Sequence, residues 1–174
     1  MGTPEFAVPV LKSINDSKHK LLAVYTQPPR KKLRGQKLTP SPVHKYAKKI
    51  NIPVRCPLNL DTEEEYSFIK NLNPDIVIVV AFGKILSSKF LNLLKINFIN
   101  IHASILPRWR GAAPIQRAIM NMDQDTGISI MKIIPELDAG PVMKTSKIKI
   151  KKDSNYKELS EQISNLAAST IIEV

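Results

Sequence analysis

A chain of 174 residues with 43% apolar content is long enough for one domain with a sizeable core, and its composition is ordinary for a globular protein. The longest apolar run, Ile76 to Phe82, has strand length and falls far short of the ~20 residues that cross a bilayer; the N-terminal sequence lacks the basic and apolar regions of a secretory signal. A single cysteine, Cys56, excludes an internal disulfide and suits a reducing cytoplasm or organelle matrix, while the net charge of +11, from 26 basic and 15 acidic residues, fits either a nucleic-acid partner or a lysine-rich solvated surface.

Taken in order, the segments alternate between strand and helix, which predicts an α/β fold with a Rossmann-like, mainly parallel sheet flanked by helices. Gly2-Thr3-Pro4-Glu5 reads as a loop entering a helix, with Thr3 as its N-cap. An alternating chain should carry a strand ahead of that loop, so the first strand is expected to be missing. Leu21 to Tyr25 is a short apolar strand. Next comes a basic loop, Arg30-Lys31-Lys32-Leu33-Arg34-Gly35-Gln36-Lys37, with five cations among eight residues and no acid. Ser41 is placed to cap a helix near residues 43–50, with Pro42 at its first position. The acidic run Asp61 to Glu65 reads as the N-terminus of a helix near 63–72, ended by Asn73-Pro74.

Residues 76–81 are β-branched and apolar on both faces, as in a central buried strand. Gly83 allows a turn, a helix is expected near 87–94, and residues 97–102 form the next strand. An irregular loop holds Pro107, Arg108, Trp109, Arg110 and Gly111. A helix near 114–122, a strand at 128–134, a loop at 135–141 and a strand at 142–150 follow. Tyr156, Leu159, Ile163 and Leu166, spaced by three or four, define the stripe of a last helix that Asp153 or Ser154 would cap.

Of the three histidines, His19 lies among lysines and His44 near a helix start, both surface positions. His102 instead ends an apolar strand, and the two-residue period of a strand puts Asn100 on the same face. Ligands of open α/β sheets bind beyond the carboxyl ends of strands, so a carboxamide and an imidazole converge where a site belongs. A hydrogen-bonded core pair would give the same short pattern. Asp138, in Leu137-Asp138-Ala139-Gly140-Pro141, is either a turn former or a partner able to orient the His102 ring.

The stretch Asn100-Ile101-His102-Ala103-Ser104-Ile105-Leu106-Pro107-Arg108-Trp109-Arg110-Gly111-Ala112-Ala113-Pro114-Ile115-Gln116-Arg117-Ala118 is very similar to the signature of the methionyl-tRNA formyltransferases. Its shorter core, N-x-H-x-S-x-L-P, is shared by the wider 10-formyltetrahydrofolate-dependent formyltransferase family, which also acts on glycinamide ribonucleotide and on sugar nucleotides. Gly2 to Ala7, Leu38 to Val43, Thr126 to Met131 and Leu137 to Pro141 resemble the tRNA enzymes too, in order along nearly the whole chain.

The resemblance implies transfer of a formyl group from 10-formyltetrahydrofolate to the α-amine of methionyl initiator tRNA, by a cytoplasmic, monomeric enzyme that needs no metal. Asn100, His102 and Asp138 take the family's catalytic positions. The folate site maps to Ser104, Ile105, Leu106 and Pro107, and to the turn with Phe82, Gly83 and Ile85, where the family pattern usually has Tyr in place of Phe82. Arg34 and Lys37 map to the tRNA-contacting insertion. Trp109 is either a stacking surface for substrate or a packing anchor. The whole chain, 1–174, is expected to be one catalytic domain, truncated at both ends, without the family's C-terminal β-barrel. Two alternatives stand beside this reading: a formyltransferase for a nucleotide or amino-sugar acceptor, and an inactive fragment.

Overall fold

The computed structural model describes residues 1–32, 37–93 and 97–174. After a 3-10 turn, Glu5–Ala7, the elements are α1 (Val8–Asn15), β1 (Val24–Tyr25), β2 (Arg30–Lys32), β3 (Lys37–Thr39), α2 (Pro42–Lys49), β4 (Val54–Arg55), α3 (Glu63–Leu72), β5 (Ile76–Val79), α4 (Ser88–Leu91), β6 (Asn97–His102), α5 (Pro114–Met120), β7 (Asp125–Lys132), β8 (Val142–Lys149) and α6 (Tyr156–Thr170). Helix starts follow side-chain chemistry. Ser41 accepts from the His44 amide, Thr62 from Glu65 and Ser87 from Phe90. Each cap replaces a hydrogen bond that a first-turn N–H cannot make inside its helix.

β1 pairs with β4 and β5 with β6 in parallel, while β6–β7 and β7–β8 are antiparallel. The expected α/β architecture is observed, with a sheet that is parallel in its first half and antiparallel in its second. Residues 133–141 turn β7 straight back into β8 without a crossover helix, so those two strands must run in opposite directions. Met1 and Gly2 lie between β1 and the end of β5 and so join the β1–β4 pair to the four-stranded sheet. The Gly2 amide donates to the Tyr25 carbonyl at 2.9 Å, and the Val80 amide donates to the Met1 carbonyl at 2.9 Å. A parallel bridge joins Gly2 to Val80.

Successive strand residues point to opposite faces and feed two cores. Val24, Val80, Ile99 and Ile101 pack with residues of α1, α2, α5 and α6. Tyr25, Val79 and Phe98 pack with Tyr66 and Ile69 of α3 and Phe90 of α4. Helices therefore cover the sheet on both sides. Glu65 is buried and accepts from the Tyr25 hydroxyl at 2.7 Å and from Arg55, so the acidic run does more than begin α3.

Several expectations are corrected. Thr3 caps nothing; its hydroxyl donates to the Phe82 carbonyl at 2.8 Å, and the first turn is a 3-10 turn without a side-chain cap. Asn155, not Asp153 or Ser154, caps α6, in a reciprocal capping box with Glu158. The basic loop is an antiparallel hairpin at its ends, with Arg30 opposite Thr39. β5 is open at its start, where Ile76 is 44% exposed, so it is not buried along its whole length. The helix expected near 87–94 is shorter and ends at Leu91; position 94 itself lies outside the described residues.

β7 and β8 approach closely at Gly127, where a Cβ would lie 1.9 Å from the Ser146 carbonyl oxygen. Backbone cannot swing aside as a side chain can. Gly127→Ala is therefore expected to destabilise the chain by about 1–3 kcal/mol, read as a lowered denaturation midpoint. An unchanged midpoint would contradict this contact.

Candidate active site

β6 is built to carry polar groups out of a hydrophobic sheet. Phe98, Ile99 and Ile101 are buried, while Asn100 and His102 share the face of Phe98 at the strand's carboxyl end, beyond the cover of α3 and α4. On the same face, Asn100 is opposite Met131 and His102 opposite Ser129 of β7. A cleft of about 1360 Å³ opens there, lined by Asn100, His102 and Asp138 together with Phe82, Gly83 and Leu137.

Asp138 reaches the site from the loop after β7, in a left-handed conformation (φ 46°) that costs a non-glycine residue roughly 1 kcal/mol. Its carboxylate compensates by joining three segments. Oδ2 accepts from the Gly111 amide at 2.8 Å and lies 3.4 Å from His102 Nδ1, while Oδ1 is 3.4 Å from Asn100 Nδ2. Gly111 itself has φ 81°, a value that glycine adopts without a side-chain penalty. His102 is 6% exposed, and its Nε2 lies 2.8 Å from the Trp109 carbonyl oxygen. A carbonyl can only accept, so Nε2 carries a proton and Nδ1 faces Asp138. A doubly protonated ring would have an acceptor on each side.

The loop between β6 and α5 is held from within. Ser104 is 1% exposed; its hydroxyl donates to the Arg108 carbonyl at 2.6 Å. Ser129 Oγ donates to the Ser104 carbonyl and accepts from the Leu106 amide. Leu106-Pro107 is a cis peptide. In this loop Ser104, Ile105, Leu106 and Pro107, the folate positions expected from the resemblance, lie behind the lining of the cleft. Phe82, Gly83 and Ile85 do line it, as do Ile133, Ile134 and Leu137, which the sequence reading omitted. Phe82 places its ring in the second core. Arg34 lies outside the described residues, and Lys37 begins β3.

Two further groups had no sequence signal beyond their polarity. Gln27 is 8% exposed and donates from Nε2 to the Phe82 and Gly83 carbonyls at 3.0 and 2.8 Å, while its Oε1 accepts from Arg30. It ties the base of the basic hairpin to the cleft's rim. Asp123 binds Trp109 Nε1–H at 2.6 Å and Arg108 Nη2 at 2.5 Å, and the Arg108 guanidinium sits 4.7 Å from the indole centroid. Trp109 is thus held as an anchor. Among the described residues, no three His, Cys, Asp or Glu side chains gather as a metal site.

An imidazole backed by a carboxylate, beside a carboxamide donor at the strand ends of an α/β sheet, has the groups that a group-transfer site can use to move a proton and to stabilise an oxyanion. Residues 1–174 match the family described as formyl transferase, and the chain belongs to that family. It is 55% identical over 174 residues to the methionyl-tRNA formyltransferase of Pelagibacter ubique (strain HTCC1062), covering 99% of this chain and 56% of that protein. It is 46% identical to the methionyl-tRNA formyltransferase of Coxiella burnetii (strain RSA 331 / Henzerling II), covering 99% of this chain and 55% of that protein. The chain thus spans a little over half the length of these relatives. Among solved structures, the phosphoribosylglycinamide formyltransferase of Streptococcus pneumoniae TIGR4 shares the fold with a TM-score of 0.81 at 17% identity, over 98% of this chain and 92% of that one. The enzyme of that name from Anaplasma phagocytophilum gives 0.79 at 19%, over 99% and 80%.

The Arg108 guanidinium, with Trp109 and Asn121, holds the Asp123 carboxyl below its ordinary 3.8, down to about 2. A carboxyl that ionises more readily when folded contributes stability above its unfolded value and loses it as pH falls through its folded one. The stability difference between the parent chain and Asp123→Asn should therefore be full above about pH 4 and vanish near about pH 2 in urea titrations. A difference independent of pH would exclude the ionised carboxylate as its source.

Proposed function

We propose that this chain forms the catalytic unit of an enzyme that moves a formyl group from 10-formyltetrahydrofolate to the α-amine of methionyl initiator tRNA, in the cytoplasm. The observation that carries this reading is the convergence of Asn100, His102 and Asp138 on one cleft, in a chain 55% identical to a methionyl-tRNA formyltransferase.

The apolar side of the cleft, with Phe82, Gly83, Ile85, Ile134 and Leu137, fits a flat heterocycle held by contact and by backbone hydrogen bonds. When bound, the folate supplies a formyl carbon on a nitrogen that leaves once protonated. Asn100 uses one amide N–H toward Asp138 and retains another for the oxygen that gains charge as the amine attacks, a role worth roughly 3–4 kcal/mol for one donor. His102 moves the proton from the attacking amine toward the leaving nitrogen through Nδ1, the ring atom not engaged by Trp109. Such transfer contributes about 10²–10⁴-fold. Asp138 orients the ring. A new carbon–nitrogen bond forms to the amine as the old one breaks.

Arg34 and Lys37 are proposed to contact tRNA phosphates. Support comes from the hairpin's charge and from Gln27, which fixes the hairpin's base to the cleft's rim.

The test is formyl transfer to Met-tRNA, by the chain alone and by the chain joined to the remainder of the Pelagibacter relative. His102→Ala is expected to lower transfer by about 10²–10⁴-fold with little change in KM for folate. Arg34→Ala with Lys37→Ala should raise KM for tRNA and flatten its salt dependence. Transfer to glycinamide ribonucleotide or a sugar nucleotide in preference to Met-tRNA would overturn the assignment.

A further inference from the structure

We propose that Asp123 is a positioning residue for His102, acting at a distance through the carbonyl of Trp109. The inference rests on the reading of His102 as the proton carrier, and it concerns a residue that lies outside the cleft, on the turn between α5 and β7.

Asp123 is built into its place. Its side chain is 8% exposed, and the carboxylate collects the Trp109 indole N–H, two Arg108 nitrogens and the Asn121 amide at 2.5–3.0 Å. A surface ion pair with Arg108 alone would need no such burial. With Arg108 stacked on the indole, Trp109 is gripped by its edge and by its face.

The grip matters because of the backbone it holds. Trp109 has φ 59°, a left-handed conformation that a residue with a Cβ leaves when nothing opposes it. In that conformation its carbonyl accepts the His102 Nε2–H at 2.8 Å. The ring has one competing acceptor, Asp138 Oδ2, 3.4 Å from Nδ1. Release of Trp109 would free the carbonyl to rotate away and let the proton move to Nδ1, facing Asp138. The nitrogen needed as a proton acceptor would then already hold a proton. Asp123 thus selects which tautomer of the neutral ring is offered to substrate.

Ring-nitrogen NMR on the chain labelled with 15N-histidine tests this directly. Only three histidines contribute, and His102→Ala assigns the signal. In the parent chain the neutral ring should carry its proton mainly on Nε2, whose 2.8 Å contact with the Trp109 carbonyl is closer than the 3.4 Å approach of Asp138 to Nδ1. Asp123→Ala, and separately Trp109→Phe, which keeps a packed ring but removes the N–H, should both shift the population toward Nδ1–H. Asp123→Asn, which still accepts from the indole, should restore most of the parent ratio. Unchanged His102 signals in folded Trp109→Phe and Asp123→Ala would overturn the proposal, and if Asp123→Ala does not fold, Trp109→Phe decides alone. This outcome is separable from the catalytic reading. Full transfer activity in His102→Ala would remove the catalytic role while leaving the tautomer result intact.

Discussion

The candidate site depends on one carboxylate. Asp138 enters from the loop after β7, faces Asn100 and His102 of β6, and accepts the Gly111 amide of the intervening loop. The strand end, the loop that follows it and the distant 138 turn meet on two oxygen atoms. Without Asp138, the Asn100 amide and the Gly111 N–H would lose their shared acceptor, a costly arrangement where water is scarce. The left-handed backbone at position 138 is what that convergence demands.

Around this carboxylate the loop from β6 to α5 is rigid by internal bonding. Ser104 and Ser129 are buried, and together their hydroxyls bind two loop carbonyls and one loop amide. A buried hydroxyl satisfied in this way specifies a single loop path, because any other path would strand a donor or an acceptor. The turn at 82–86 and residues 133–137 bring apolar residues to the cleft, beside Phe6 and Val8 of the N-terminal segment and Ala103, Ala112 and Ala113 of the loop itself.

Much of this was legible in the sequence, for reasons that can be named. Local chemistry placed the ends of elements: Ser41 and Pro42 began α2, the acidic run began α3, and the apolar alternation of residues 97–102 gave β6 with Asn100 and His102 on one face. Long-range bonding was not legible. Thr3 looks like a cap but bonds Phe82, 79 residues away. Ser104 and Leu106 sit inside a signature that resembles a ligand-binding loop, and their bonds to Arg108 and Ser129 appear only in the fold. Antiparallel pairing of β7 and β8 is set by the short return between them, whereas strand and helix alternation alone favours parallel strands. Asp123 and Gln27 carry no periodicity, and their roles exist only once the chain is folded.

These failures bear on why the resemblance extends so far beyond the chemistry. An N-x-H at the end of a strand needs only two side chains, and such a pair is common as a core contact. What makes it a site is the path from His102 to Gly111, which returns a carbonyl to one side of the imidazole and an amide to the carboxylate on the other. That path requires a left-handed Trp109, a glycine at 111 and a partner for the indole, and each requirement restricts residue identity at positions that never touch a substrate. A sequence that kept Asn100, His102 and Asp138 but lost the loop would keep the reactive groups without their orientation. Since a displacement of about 1 Å can cost 10²-fold in rate, the proposed reaction depends on the brace as well as on the groups it holds.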